Sequence, residues 1–165
     1  MLSSPVPLIA GHDISRFACG EPTLDAWLQH RAIKNETAGA SRTYVVLDDN
    51  RVVGYYSLAV GSIEHTFVPA KVKRNMPDPI PAMILGRLAV DQQYAGNHIG
   101  SGLLRDALKR TYLAADIAGI RVLMVHALHE RAAWFYYHRG FWPSPFNPLL
   151  LFRLLDPETA SRVSR

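Results

Sequence analysis

Cysteine is nearly absent from this chain of 165 residues, in which Cys19 is the only one. A single cysteine excludes an internal disulfide and a structural zinc site made of several cysteines. Disulfides belong to oxidising compartments, so their exclusion favours the cytoplasm as the place where this chain works.

Long apolar runs are also missing. No stretch approaches the roughly 20 residues that a membrane span needs. Residues 1–5 lack the basic segment and apolar stretch that begin a signal peptide, so we expect neither membrane insertion nor export. Hydrophobic residues make up 48% of the chain and charged residues 19%, with no internal repeat, which predicts one globular domain over residues 1–165.

Acidic residues are fewer than basic ones, 14 against 18, so the net charge is +4. This excess favours an anionic partner such as nucleic acid or a phosphate-bearing cofactor, and a solvated surface is the alternative. Several of the cations lie in the first half, at Arg31, Lys34, Arg42, Lys71, Lys73 and Arg74.

Hydrophobic periodicity and turn residues predict the order of the elements. The pattern predicts a helix to about Glu36, a hairpin of 42–47 and 52–59, a loop over 69–81 and a strand over 82–90. A long helix over 99–118, a strand over 121–127, a short helix over 129–138 and a strand over 149–155 follow. Gly54, inside the second hairpin strand, indicates a bulge or a close backbone approach. In the long helix, Leu113 belongs to the predicted apolar stripe and Asp106 faces away from it. A mixed α/β sheet with crossover helices follows from this order.

A strand, a turn of small residues and a long helix follow one another over residues 88–104. The N–H groups of a helix start have no intrahelical partner, and with the helix dipole they form an anion site suited to a pyrophosphate. The segment lacks the Gly-Lys-Ser/Thr of a P-loop and the spacing of a dinucleotide fingerprint. A plain helix N-terminus is the alternative.

The same segment resembles the acyl-CoA-binding motif of the GCN5-related N-acetyltransferases (GNAT), written Arg/Gln-x-x-Gly-x-Gly/Ala. Gly100 is its final glycine, but Ala95 stands where Arg or Gln is usual and His98 where the first glycine is usual. The His98 side chain either crowds the pyrophosphate or donates a hydrogen bond to it. The resemblance implies that acetyl-CoA is bound by Leu88, Ala89, Val90, Ala95, Gly96, Asn97, His98, Ile99, Gly100 and Ser101.

Residues 132–141 resemble the last motif of that family, a helix bearing Phe-Tyr followed by Gly-Phe. The resemblance places Tyr136 near the thioester sulfur. A tyrosine stays protonated to a pH of about 10 and a thiol has a pKa of about 8.5, so Tyr136 can protonate the departing thiolate as a general acid. Packing of Tyr136 in an aromatic core is the alternative. His126 and His129 straddle a strand end, and family members of this kind need no metal.

Separated stretches between about residues 5 and 155, among them 41–44, 54–57, 74–81 and 85–91, are similar to one GNAT subgroup. These are the TacT-like acetyltransferase toxins of bacterial toxin–antitoxin pairs. The resemblance implies acetylation of the α-amino group of aminoacyl-tRNA, which blocks translation. It further implies a homodimer and a ribbon-helix-helix antitoxin, with operator DNA repressed only through the complex of the two proteins.

The tRNA backbone would need cations, and the candidates are Arg31, Lys34, Arg42, Lys73, Arg74 and Arg87. Arg87 lies within a predicted strand, so a structural ion pair is its alternative role. The expected fold is the α/β (α+β) GNAT fold, a single mixed, mostly antiparallel twisted sheet flanked by helices.

Two other functions remain open. The CoA motifs fit equally a GNAT enzyme that acetylates a protein N-terminus, a lysine or a small amine. They also leave room for a catalytically weak binding protein in which His98 has damaged the CoA site.

Overall fold

A computed structural model describes residues 1–156 of the chain, so residues 157–165 of the predicted domain lie outside the described part. The elements alternate between strands and helices along most of this length. They are β1 (Val6–Pro7), α1 (Pro22–His30), α2 (Ala32–Ala38), β2 (Arg42–Asp48), β3 (Arg51–Ile63), α3 (Ala70–Lys73), β4 (Ile80–Val90), α4 (Ile99–Ala118), β5 (Val122–His126), α5 (Glu130–Tyr137), β6 (Trp142–Pro143) and β7 (Leu150–Leu154). Short 3-10 turns cover His65–Phe67 and Gln92–Tyr94.

The strands form one sheet of seven, in the order β1-β2-β3-β4-β5-β7-β6. β4 and β5 pair in parallel, while β1 with β2, β2 with β3, β5 with β7 and β6 with β7 pair antiparallel. A parallel pair needs a crossover, which α4 supplies between β4 and β5. The predicted single mixed and mostly antiparallel sheet is therefore confirmed. The two-residue strands β1 and β6 are additions that periodicity cannot detect.

The chain groups into two compact units, the first of residues 1–59 and 86–107 and the second of residues 60–85 and those from 108 onward. In the first unit, the Trp27 and Tyr55 rings stack at 5.9 Å and Phe17 meets Tyr55 edge-on at 5.5 Å. The Tyr55 hydroxyl donates to the carbonyl of Leu24 at 2.7 Å. These contacts hold α1 against β3.

The core of the second unit joins α3 to the strands. Val72 of α3 is buried with Ile80 of β4, Val122 of β5 and Phe152 of β7. Burial of each such side chain contributes about 1.5–3 kcal/mol. The loop predicted over 69–81 therefore contains a short helix, whose four residues are too few to show helical periodicity.

The hairpin of β2 and β3 has the predicted position and a bulge. Val46 pairs with Gly54 but Leu47 pairs with Val52, so one residue of β3 has no opposite partner. A Cβ on Gly54 would lie 2.9 Å from Cγ2 of Ile99. Both readings of this glycine, a bulge and a close approach, are confirmed.

The helix predicted to run to about Glu36 is two helices. Arg31 separates α1 from α2 with a φ of −120°, outside helical geometry. Gly39 ends α2 in the left-handed conformation, with a φ of 75°. The predicted end of this region is confirmed, but its continuity is wrong.

Helix α4 has the predicted bounds, but two of its side chains do not lie where they were expected. Leu113 is 59% exposed, because five residues turn a helix by about 140° and carry it off the face of Leu108. Asp106 is half-buried and accepts a hydrogen bond from the hydroxyl of Tyr56. Within residues 1–156, no helix combines the length and apolar character that a membrane crossing requires.

Candidate active site

The connection from β4 to α4 is a turn built on unusual backbone angles. β4 ends at Val90, and the chain passes through Gly96 at a φ of 85° and His98 at a φ of 59° before α4 begins at Ile99. Left-handed angles change the direction of the chain within a few residues, so a short loop is enough to connect the strand to the helix.

Asp91 anchors the start of this loop. Its side chain is 2% exposed and accepts hydrogen bonds from the backbone N–H of Ala18 at 3.1 Å and of Gln93 at 2.9 Å. It also forms an ion pair with the guanidinium of Arg51 at 3.3 Å. The same terminal nitrogen of Arg51, Nη2, also donates to Oε1 of Gln93 at 3.1 Å. One buried carboxylate therefore fixes the loop against two distant segments of the chain.

A second contact fixes the middle of the loop. The hydroxyl of Tyr94 donates to Oδ2 of Asp48 at 2.6 Å, and the guanidinium of Arg51 lies 5.3 Å from the centre of the Tyr94 ring. The hydrogen bond to Asp48 raises the pKa of Tyr94 and lowers that of Asp48. The β2–β3 hairpin thus holds the loop that precedes α4.

The first turn of α4 sits tightly on β3. Ile99 is buried, and Leu103 Cδ1 would lie 3.1 Å from a Cβ on Gly54. On the helix itself, a Cβ on Gly102 would meet no atom within 4 Å. A dipole of 20 aligned residues ends at this first turn, where its positive end favours an anion.

The ten predicted CoA-binding residues all fall in this one strand–loop–helix segment. Ala89 and Ile99 are buried, Leu88, Val90, Gly100 and Ser101 are half-buried, and the loop residues Ala95, Gly96, Asn97 and His98 are exposed. The structure brings them together as a contiguous rim, and their role in binding stays a prediction.

Tyr136 lies in the last turn of α5, and its side chain is 5% exposed. Its ring meets those of Phe135 at 5.2 Å and Phe141 at 5.3 Å. Its carbonyl accepts the backbone N–H groups of Arg139 at 2.9 Å and Phe141 at 3.2 Å, which closes the helix. Burial raises the pKa of the Tyr136 phenol well above its ordinary value, so the hydroxyl keeps its proton.

Tyr137 lies on another face of α5, as expected, because it is 48% exposed. His129 caps the other end of this helix, where its Nδ1 accepts the backbone N–H of Ala132 at 3.2 Å. Among residues 1–156 no group of three or more His, Cys, Asp or Glu side chains is placed to hold a metal ion.

The basic residues predicted to contact RNA are divided between the two units. Arg31, Lys34, Arg42 and Arg87 lie in the first, and Lys73 and Arg74 lie in the second. Arg31, Lys34, Arg42 and Arg74 are exposed. Arg42 forms an ion pair with Glu36 at 3.4 Å, and Lys73 Nζ donates to the carbonyl of His65 at 3.3 Å.

Arg87 differs from the other cations. Its guanidinium lies 4.2 Å from the centre of the Trp27 ring, and burial lowers its pKa. Within the described residues it forms no ion pair, so the alternative role as a structural ion-pair partner is wrong for this part of the chain. The indole holds the guanidinium in one place, and no carboxylate of residues 1–156 pairs with it.

Residues 39–143 match the family model of the acetyltransferase (GNAT) domain. The chain belongs to the GNAT acetyltransferase family. It is 48% identical over 158 residues to a tRNA-acetylating toxin of Mycobacterium tuberculosis, which covers 96% of this chain and 95% of that protein.

Two solved structures are similar to this GNAT fold over its whole length. AtaT complexed with acetyl-methionyl-tRNAfMet matches with a TM-score of 0.87 at 29% identity, covering 100% of both chains. A tyrosine-to-phenylalanine mutant of AtaT bound to the C-terminus of the antitoxin AtaR and acetyl-CoA matches with a TM-score of 0.80 at 29% identity, covering 99% of this chain and 96% of that one. The resemblance to the GNAT family and its toxins is confirmed.

The GNAT motif explains the angle at His98. A glycine is usual at this position of the motif, and here a histidine adopts the left-handed conformation that favours glycine, with a φ of 59° and an exposed side chain. The loop therefore keeps the backbone shape that a glycine allows, despite the change of residue. The segment is therefore compatible with the predicted binding of acetyl-CoA, because the contacts predicted for the pyrophosphate are mostly to backbone groups.

Two supports of the GNAT loop were missed from the sequence, namely Asp91 and its partner Arg51. Asp91 directly follows the strand predicted over 82–90, and this position is the one signal that the sequence offers for it. Arg51 carried no signal, because its partner is 40 residues away along the chain.

Proposed function

We propose that this chain is a toxin that transfers acetyl from acetyl-CoA to the α-amino group of aminoacyl-tRNA and so blocks translation. The similarity over almost its whole length to a tRNA-acetylating toxin carries the proposal. The fold shared with AtaT in complex with acetyl-methionyl-tRNAfMet supports it.

Acetyl-CoA supplies the activated acetyl group. The backbone of the loop and first turn of α4, with Gly96, His98 and Gly100, would hold its pyrophosphate at the positive end of the helix dipole. Positive φ angles at Gly96 and His98 support this role, because they shape the loop before the helix. Val90, at the end of β4, would bring a backbone N–H near the acetyl oxygen.

The acceptor amine attacks the acetyl carbonyl carbon, the carbon–sulfur bond breaks, and the thiolate takes a proton. Tyr136 would donate that proton. Its raised pKa keeps the phenol protonated at neutral pH, so the proton is in place for the thiolate when the carbon–sulfur bond breaks. The amine loses one proton as the amide forms, which balances the reaction.

An α-amino group suits a site without a dedicated base. Its pKa of about 8 lies well below the 10.4 or so of lysine, so a usable fraction is neutral at pH 7.

Arg87 is the cation that we favour for a phosphate of the acceptor RNA, since Trp27 holds its guanidinium in place. Arg31, Lys34, Arg42, Lys73 and Arg74 would add contacts that position the RNA without reading its sequence. The ion pair with Glu36 makes Arg42 the weakest of these candidates.

The partners follow from the same proposal. We infer a ribbon-helix-helix antitoxin, repression of the operon by the complex of toxin and antitoxin, and a homodimer. The cytoplasm is the inferred location because aminoacyl-tRNA is found there. We also infer one GNAT domain over residues 1–165, since β4 and α4 each contribute residues to both compact units.

The test is incubation with labelled acetyl-CoA and a total pool of aminoacylated tRNA, with deacylated tRNA as the control. Label on the amino acid is the expected result, and the labelled tRNAs reveal the substrate range. Acetyl-CoA binding without label on any amino acid would favour a protein N-terminus, a lysine or a small amine as acceptor. Neither label nor binding would leave only a binding protein.

A further inference from the structure

Gly86 is an exposed residue inside the central strand of the sheet. β4 has three strands on each side in the sheet order, and Leu85, directly before Gly86, is fully buried. A central strand is normally covered on both faces. The exposure of Gly86 therefore marks a gap in the packing above β4.

Two buried hydroxyl groups lead to this gap. A Cβ on Gly86 would lie 3.1 Å from Oγ of Ser57, which is 2% exposed. Thr43 pairs directly with Ser57 in the sheet, so their side chains share a face. Thr43 is fully buried, and its Oγ1 has no hydrogen-bond partner among residues 1–156. We call Thr43, Ser57 and Gly86 the acceptor notch.

Arg87 directly follows Gly86 in β4. Its guanidinium lies 4.2 Å from the centre of the Trp27 ring, and that ring stacks on Tyr55. Tyr55 is two residues from Ser57 in β3, so these two side chains share a face of the sheet. The guanidinium therefore lies on the face of the sheet that carries the Ser57 hydroxyl.

We propose that the acceptor notch binds the amino-acid part of the aminoacyl-tRNA. Because Gly86 has no side chain, the notch has room for that amino acid, and Gly86 sets the largest size that fits. The proposal rests on the proposed acetylation of aminoacyl-tRNA. The notch has hydroxyl groups at its floor and a cation at its rim. An amino acid esterified to a nucleotide has the matching chemistry, with a polar ester and amine next to a phosphate.

The experiment measures kcat/KM for acetyl transfer to one tRNA charged in turn with glycine, alanine, methionine and phenylalanine. Gly86→Ala places a methyl group in the notch, and rotation of the Ser57 hydroxyl relieves the close contact. We expect a loss of about tenfold or more for the methionyl and phenylalanyl acceptors, since small changes of volume in a pocket discriminate by that factor. The glycyl acceptor should change less than about threefold.

Two further variants separate a filled notch from disturbed packing. A Cβ on Gly11 would meet nothing within 4 Å, so Gly11→Ala is the matched control and should behave as the wild type. The double variant Gly86→Ala with Ser57→Ala removes the hydroxyl that the new methyl touches. The selective loss should persist in it, and full recovery there would overturn the proposal.

The reaction of the wild type separates failure of the proposed function from failure of the role of the acceptor notch. A wild type that acetylates no aminoacyl-tRNA removes the proposed function and the notch with it. A wild type that acetylates them, with a Gly86→Ala variant that loses nothing or loses equally with every acceptor, overturns the notch alone. Unchanged KM for acetyl-CoA and unchanged Tm complete the expected pattern.

Discussion

Replacement of Asp91 by asparagine should loosen the loop before α4 and destabilise the protein. The carboxylate accepts two backbone N–H groups and pairs with Arg51, and side-chain exposure is 2% for Asp91 and 14% for Arg51. Asparagine puts an NH₂ donor against these donors and leaves the guanidinium without its counter-charge. Breaking one partner of a buried ion pair costs about 3–5 kcal/mol, a large part of the roughly 5–15 kcal/mol that stabilises a domain.

The assay is urea unfolding followed by tryptophan fluorescence, with Asp13→Asn as the matched control. Asp13 also pairs with an arginine, Arg16, at 3.4 Å, but water reaches both side chains, which are 32% and 61% exposed. The control should shift the midpoint much less than Asp91→Asn, because solvent-screened pairs contribute little and the two hydrogen bonds from Ser15 to Asp13 lie at the surface. A midpoint for Asp91→Asn equal to that of the control would refute the reasoning.

A second arm tests whether the loss comes from the uncompensated arginine. Arg51→Met in the Asp91→Asn background removes the buried charge, so part of the lost stability should return. Acetyl-CoA affinity, measured by calorimetry, should fall with Asp91→Asn if this loop holds the pyrophosphate. Unchanged affinity would mean that the loop shape does not depend on Asp91.

Three further predictions follow. Tyr136→Phe should keep the fold, since only a hydroxyl is lost. It should lower kcat by about 10²–10⁴ without altering the affinity for acetyl-CoA. A kcat within a factor of two of the wild type would exclude a general-acid role. His98→Gly should change the free energy of unfolding by less than about 1 kcal/mol, because relief of the left-handed angle offsets the added entropy of the unfolded chain. His98→Val should destabilise the folded protein, because a β-branched residue does not tolerate this angle. Equal unfolding curves for the two variants would contradict strain at this residue. Burial and Asp25 raise the pKa of Cys19 to about 12. Alkylation of the Cys19 thiol at pH 8 should therefore be more than about tenfold slower in the folded than in the unfolded protein. Equal rates would contradict this prediction.

The strongest sequence predictions concerned features that short stretches of chain encode. Helix α4 has its predicted bounds because apolar residues recur at helical spacing and Gly119 stops it with a φ of 70°. Gly54 was correctly read as a point of close approach, because a glycine within a strand has few other uses. The strand and helix of the segment predicted to bind CoA have the expected places, because they are contiguous with their turn in the sequence.

The errors arose where the neighbour of a residue decides its environment. Leu113 looked like a core residue but is exposed, and Asp106 looked solvent-facing but binds the hydroxyl of Tyr56. Arg31 interrupts a helix that has unbroken apolar spacing on both sides. A periodic pattern records the residue types along one element, and it carries no record of what packs against that element.

The sequence by itself determined the family, the order of the main elements and the segment that would hold acetyl-CoA, because backbone angles and periodicity are local properties. Three contacts were decided only by the tertiary structure. Asp91 pairs with Arg51, the guanidinium of Arg87 packs on the Trp27 ring, and Gly86 lies next to the Ser57 hydroxyl. Each of these joins residues on different elements. Their contact depends on strand register and on the packing of a helix against the sheet, which no single stretch of sequence contains.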